Sequence, residues 1–163
     1  MNNLNRLRDY ITDMTHLVSV AGQDEARIFR DGEPLLSRLV SHDDWLPEAF
    51  AQSSPETYRQ YLLWCDPMER FSVVSFVWGP GQKTPIHDHT VWGMVGMMRG
   101  QELCEEYAVP APGRAMQKAG EHAVQPGQVD KVSPSVGDIH VVSNRSEEHT
   151  SELQSQFRIS YAV

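Results

Sequence analysis

Only two cysteines, Cys65 and Cys104, occur in 163 residues, which excludes the disulfide framework on which small secreted domains rely. No apolar run approaches the roughly 18 residues of a helical membrane span. The N-terminus, Met1-Asn2-Asn3-Leu4-Asn5-Arg6, is polar and lacks the apolar core of a signal peptide. Positive charge is also scarce. With 14 Lys and Arg against 22 Asp and Glu, the formal net charge is −8, which argues against a polyanion binder. These absences predict a cytoplasmic protein without a membrane or nucleic-acid partner. At 40% hydrophobic residues, the chain can bury one sizeable core.

Leu4, Leu7, Ile11, Met14, Leu17 and Val18 recur at helical spacing, so residues 3–19 are predicted to form an amphipathic helix. A second helix is expected between Asp24 and Val40, interrupted by Gly32 and Pro34. Ser54-Pro55-Glu56 has the form of a further helix start, with Ser54 as N-cap. From about Tyr58 the texture changes to short apolar runs broken by Gly and Pro. Phe71–Trp78, Val91–Met98, Gln101–Val109 and Asp138–Val142 read as strands. The expected architecture is mainly β, a small barrel or sandwich under a helical N-terminal cap.

The chemistry concentrates in His87-Asp88-His89 and, fifty-one residues past His89, His140. Histidines at i and i+2 of a strand point to one face, and a third from a later strand of a closed barrel can meet them. A carboxylate partner is missing: the residues at the fourth and fifth positions past His89 are Gly93 and Met94. Three neutral imidazoles leave coordination positions open for a substrate and dioxygen, which favours an iron oxygenase site, although imidazoles also suit zinc, nickel and copper. Asp88 projects to the opposite strand face and is expected to be structural. His16, His42 and His122 are expected at the surface or in caps, Cys65 and Cys104 as packed thiols, and Met94, Met97 and Met98 as core filling.

Gly81, His87, His89 and Gly100, with Pro134, Gly137, His140 and Asn144, resemble the two signatures of the cupin superfamily. That resemblance implies a double-stranded β-helix (jelly-roll) barrel. More narrowly, Trp78-Gly79-Pro80-Gly81, His87-Asp88-His89-Thr90-Val91-Trp92-Gly93 and Gly137-Asp138-Ile139-His140 resemble the cysteine dioxygenase family of iron thiol dioxygenases. By that resemblance His87, His89 and His140 would ligate Fe(II), and both atoms of dioxygen would enter a small thiol to give a sulfinate. Gln60 matches the position where the cysteine-selective branch carries a carboxylate-binding arginine, and so resembles the branch acting on 3-mercaptopropionate. Cys104 does not match the family's crosslinking cysteine. The alternatives are a cysteine or aminothiol substrate, and a non-catalytic metal-binding cupin acting as a sensor or binding module.

Residues 145–163 change character. Arg145-Ser146-Glu147-Glu148-His149-Thr150-Ser151-Glu152-Leu153-Gln154-Ser155 and Ile159-Ser160-Tyr161-Ala162-Val163 resemble the two ends of a translated short-read sequencing adapter, in one frame. The expected organisation is therefore a single C-terminally truncated cupin domain over 1–144 (cap 1–62, barrel 63–144), followed by a non-native tail. The family's Ser-x-His-x-Tyr relay is absent after Asn144. His149, Ser160 and Tyr161 receive no role. Loss of the terminal strands is expected to expose sheet edges and destabilise the chain.

Overall fold

Tyr10, Met14, Leu17 and Val18 recur at intervals of four, three and one. They form the buried stripe of α1 (Asn5–Ala21) in the structure, a computed structural model that describes residues 3–146 and 150–156. Asp24 caps α2 (Glu25–Val40), its Oδ1 accepting from Arg27 N at 3.0 Å. The expected interruption of α2 is not observed. Pro34 sits inside a continuous helix, where it removes one backbone hydrogen bond, a cost of about 3 kcal/mol. Burial of Ile28, Phe29, Leu36, Leu39 and Val40 offsets it at about 1.5–3 kcal/mol per side chain. Gly32 is a packing requirement: a Cβ there would lie 2.8 Å from Met94 Cε.

The helix expected at Ser54 is replaced by a bend at 55–57 and then β1 (Arg59–Cys65). Ser54 Oγ donates to the Glu56 carboxylate, a local bond that competes with helix formation. The Tyr58 ring stacks on Trp78 at 4.3 Å, which holds this segment extended beside its neighbour strand. The first strand thus begins at Arg59.

Seven further strands follow: β2 (Ser72–Trp78), β3 (Gly93–Arg99), β4 (Glu102–Ala108), β5 (Gln117–Val124), β6 (Val129–Val132), β7 (His140–Asn144) and β8 (Thr150–Gln156). They form a five-stranded sheet, β1-β2-β8-β3-β6, and a three-stranded sheet, β5-β4-β7, both antiparallel. Strands β5 and β6 were not expected from sequence. The helices cover one face of the larger sheet, with Phe71, Val73, Trp92, Met94, Met98 and Leu153 joining their apolar stripes in one core. At Gly96 the approach is closest, since a Cβ would meet Leu36 Cγ at 2.8 Å and Val40 Cγ1 at 2.9 Å. The opposite faces of the two sheets enclose the barrel interior.

β8 lies centrally, paired with β2 on one side and β3 on the other, so its backbone groups are satisfied by both neighbours. Its side chains fit less well. Ser155 and Leu153 face the helices, with Tyr10 Oη 2.7 Å from Ser155 Oγ. Alternation then turns Glu152 and Gln154 into the barrel. Thr150, Ser151, Glu152, Gln154 and Ser155 are all buried. Thr150 Oγ1 and Ser151 Oγ have no hydrogen-bond partner among the described residues, each a cost of about 1–3 kcal/mol. Burial, then the facing Glu152 carboxylate, pushes Glu102 well above the ordinary carboxylate range, and burial raises Glu152 likewise. His149, Ser160 and Tyr161 lie outside the described residues.

Candidate metal centre

His87 and His140 form an isolated antiparallel bridge: His140 N donates to His87 O at 2.9 Å, and His87 N to His140 O at 3.1 Å. His140 opens β7, whereas His87 and His89 lie in an irregular segment instead of the regular strand expected from their spacing. The segment is held by Asp138, whose Oδ2 accepts from His89 N at 3.1 Å. Asp88 is exposed. The backbone thereby brings together the three imidazoles that the sequence singled out.

His140 Nε2 lies 3.1 Å from His87 Nε2 and 3.1 Å from His89 Nε2. The three donor atoms all fall within 4.8 Å of one another. With metal–nitrogen bonds of about 2.05 Å, ligand edges measure about 2.9 Å in an octahedral face and about 3.3 Å in a tetrahedron, so the observed spacing fits a common ion. The rings are suited to the task, because a metal needs neutral imidazoles. Burial, then His87, holds His89 below the ordinary imidazole range, with Asp138 and Asp88 opposing. Burial, then His87, His89 and His122, pushes His140 down to about 3. The outer nitrogens are also engaged: His87 Nδ1 is 3.1 Å from Pro85 O, and His140 Nδ1 is 3.4 Å from Cys104 Sγ. Each contact turns the Nε2 lone pair inward.

Gln60 stands on the edge strand β1 opposite Phe76, with its side chain exposed. Cross-strand pairing puts it on the face that carries the Tyr58–Trp78–Phe76 stack. Trp92 is buried on the helix side, edge-on to Phe29 at 6.4 Å. The three methionines are buried as expected.

Cys104 is a packed thiol, as expected, buried against His140, whereas Cys65 is exposed instead of packed. His122, expected at the surface, is half-buried, with Nε2 2.9 Å from Asp130 Oδ2 and Nδ1 3.1 Å from Glu106 Oε1. The signal was the β4–β5 register, which sets Cys104 opposite His122, and β5 was not anticipated.

No family model matches the chain. Among solved structures it is similar to TT1209 from Thermus thermophilus (TM-score 0.54, 18% identity, 68% of this chain and 92% of that one). It is also similar to a cupin superfamily protein from Desulfitobacterium hafniense DCB-2 (TM-score 0.50, 13% identity, 72% and 94%). A third similar structure is oxalate oxidase in complex with the substrate analogue glycolate (TM-score 0.50, 18% identity, 66% and 55%). At these identities the likeness speaks for architecture alone, and the architecture of this chain is the cupin fold, mainly β with a helical cap.

Proposed function

We propose that the chain derives from an Fe(II)-dependent thiol dioxygenase that converts a small thiol carboxylate, of the 3-mercaptopropionate type, to its sulfinate. The observation that carries this reading is the convergence of three imidazole Nε2 atoms with no carboxylate among them. A three-nitrogen set adds no negative charge, which keeps the ion electrophilic toward an anionic sulfur donor. Ferrous iron, when bound there, would supply Lewis acidity toward a thiolate and the redox capacity for dioxygenation. His87, His89 and His140 would hold the ion. Pro85 O and Cys104 Sγ orient two of these rings, and Asp138 fixes the backbone of the third. Gln60, on the face of the aromatic stack, is assigned to the substrate side, where its neutral amide accepts or donates single hydrogen bonds instead of an arginine's bidentate pair.

Residues 1–144 are proposed as the domain proper and 145–163 as a non-native tail. The polar side chains that β8 buries support this division, since a central strand ordinarily carries apolar residues on its buried faces. The polar side chains that β8 buries favour a second reading, a metal-holding cupin with little or no turnover. Anaerobic reconstitution with Fe(II), followed by oxygen-electrode assay with 3-mercaptopropionate, cysteine and cysteamine, tests both readings. Oxygen uptake matched by a product heavier by two oxygen atoms supports the dioxygenase. Stoichiometric iron binding with no uptake supports the second reading.

A further inference from the structure

We propose that Cys104, His122 and Asp130 form a second cation site, suited to a zinc-class divalent ion, in the barrel interior beside His140. Cys104 and His122 face each other across β4 and β5, and Asp130 reaches them from β6 of the other sheet. One donor atom from each lies within 4.8 Å of the other two. Around tetrahedral zinc, nitrogen–oxygen edges measure about 3.3 Å and edges to sulfur about 3.5 Å. The 2.9 Å between His122 Nε2 and Asp130 Oδ2 therefore opens by only a few tenths of an ångström to admit the ion.

The chemistry of the set is complementary. Thiolate, carboxylate and neutral imidazole together carry two negative charges, and they join soft and borderline donors of the kind zinc takes. Glu106 Oε1 sits 3.1 Å from His122 Nδ1, the carboxylate–histidine contact that fixes a metal-binding ring. The lysine lining this region, Lys131, is engaged by Glu33 at 2.5 Å. All three donors border a cavity of about 320 Å³, which leaves the fourth position open to water or a small ligand.

The site is coupled to the histidine centre through one atom. Cys104 Sγ lies 3.4 Å from His140 Nδ1. Once metallated it is a thiolate and accepts the Nδ1 proton's hydrogen bond more strongly, which stabilises the tautomer whose Nε2 faces His87 and His89. None of this depends on which reaction the histidine centre performs.

Cobalt(II) titration of the metal-free protein in a Cys65→Ser background tests the assignment, because sulfur ligation gives a near-ultraviolet charge-transfer band that imidazoles alone do not. The expected result is roughly two equivalents bound, with a band lost in Cys104→Ser and weakened in His122→Ala and Asp130→Asn. The band should persist in His87→Ala/His89→Ala, while one equivalent is lost. A single equivalent with no sulfur band overturns the proposal, as does a band that survives Cys104→Ser. If Cys104→Ser does not fold, the band of the Cys65→Ser parent and its response to His122→Ala decide the matter.

Discussion

The sulfur of Cys104 and the Nδ1 atom of His140 are 3.4 Å apart, on the side of the ring that faces away from His87 and His89. The imidazole is thus held from both ends, by the candidate metal position at Nε2 and by a buried thiol at Nδ1. Contacts of this kind are worth about 10–100-fold in metal affinity. Cys104→Ala should therefore weaken metal binding at the histidine centre by about that factor while leaving the far-ultraviolet circular dichroism spectrum unchanged. Competition with a chelator of known affinity measures it. Unchanged affinity would show the contact to be incidental.

Direct removal of a ligand has a larger effect. With His140 gone, the remaining two rings stand on an irregular segment, and nothing on β7 replaces the lost nitrogen. His140→Ala should bind less than a tenth of the iron held by the parent under the same conditions, and His87→Ala similarly. Elemental analysis after gel filtration provides the readout. Full iron content in either variant would remove these residues from the site.

How far the sequence reached depends on the range of the interactions that decide each element. The helical periodicity of α1 and the stripe of α2 are local and were legible, as were the His87, His89 and His140 triad and the strand at Phe71–Trp78. Pro34 and Gly32 misled because the force that keeps α2 intact is tertiary, the packing of Met94 and Leu17 onto it. Ser54 misled in the other direction. Its cap signal was real, but the segment bends at 55–57 and runs on into β1, with Tyr58 stacked on Trp78. The Cys104–His122–Asp130 cluster was invisible because its members sit on three strands, two of them unanticipated. The adapter resemblance set residues 145–163 apart, whereas the central pairing of Thr150–Gln156 and the burial of its polar side chains were not legible, because both depend on β2 and β3, far away in sequence.

The contact at Gly96 gives a stability prediction independent of any metal. Leu36 and Val40 lie within 2.9 Å of where a Cβ would stand, and both belong to a rigid helix face. Gly96→Val should destabilise the fold by about 1–3 kcal/mol through overpacking, lowering the urea midpoint. Equal midpoints for Gly96→Val and the parent would mean that the helices do not seat on β3 as described.

Glu152 makes stability depend on pH in a definite direction. Its folded-state pKa is raised, chiefly by burial, so between the ordinary carboxylate range and that raised value the folded state holds a proton that the unfolded state has released. The favourable contribution is complete at acid pH, below the unfolded value of 4.5, and is lost as pH rises. Glu152→Gln removes this dependence. The variant should be more stable than the parent at pH 7, by roughly 1–3 kcal/mol, and the difference should close toward pH 4. Urea midpoints at several pH values measure it. A gap that is constant with pH would place Glu152 in solvent.

Gln60 tests the substrate side. An exposed neutral amide on β1 offers a carboxylate no charge, and the described strand β8 contributes no arginine. If Gln60 borders the substrate, Gln60→Arg supplies a bidentate charged contact, worth about 1.5–3 kcal/mol, or about 10–100-fold in affinity. The KM for 3-mercaptopropionate and for cysteine should fall by that order. The KM for cysteamine, which has no carboxylate, should stay or rise. Where the chain as written turns over too slowly for kinetics, the same comparison is available from thiol perturbation of an iron-bound spectroscopic probe. A fall for all three thiols would signal a general electrostatic effect, since the added cation then acts on the thiolate as much as on the carboxylate. No change for any of them would place Gln60 outside the site, leaving the aromatic stack of Tyr58, Phe76 and Trp78 as the wall that substrate meets.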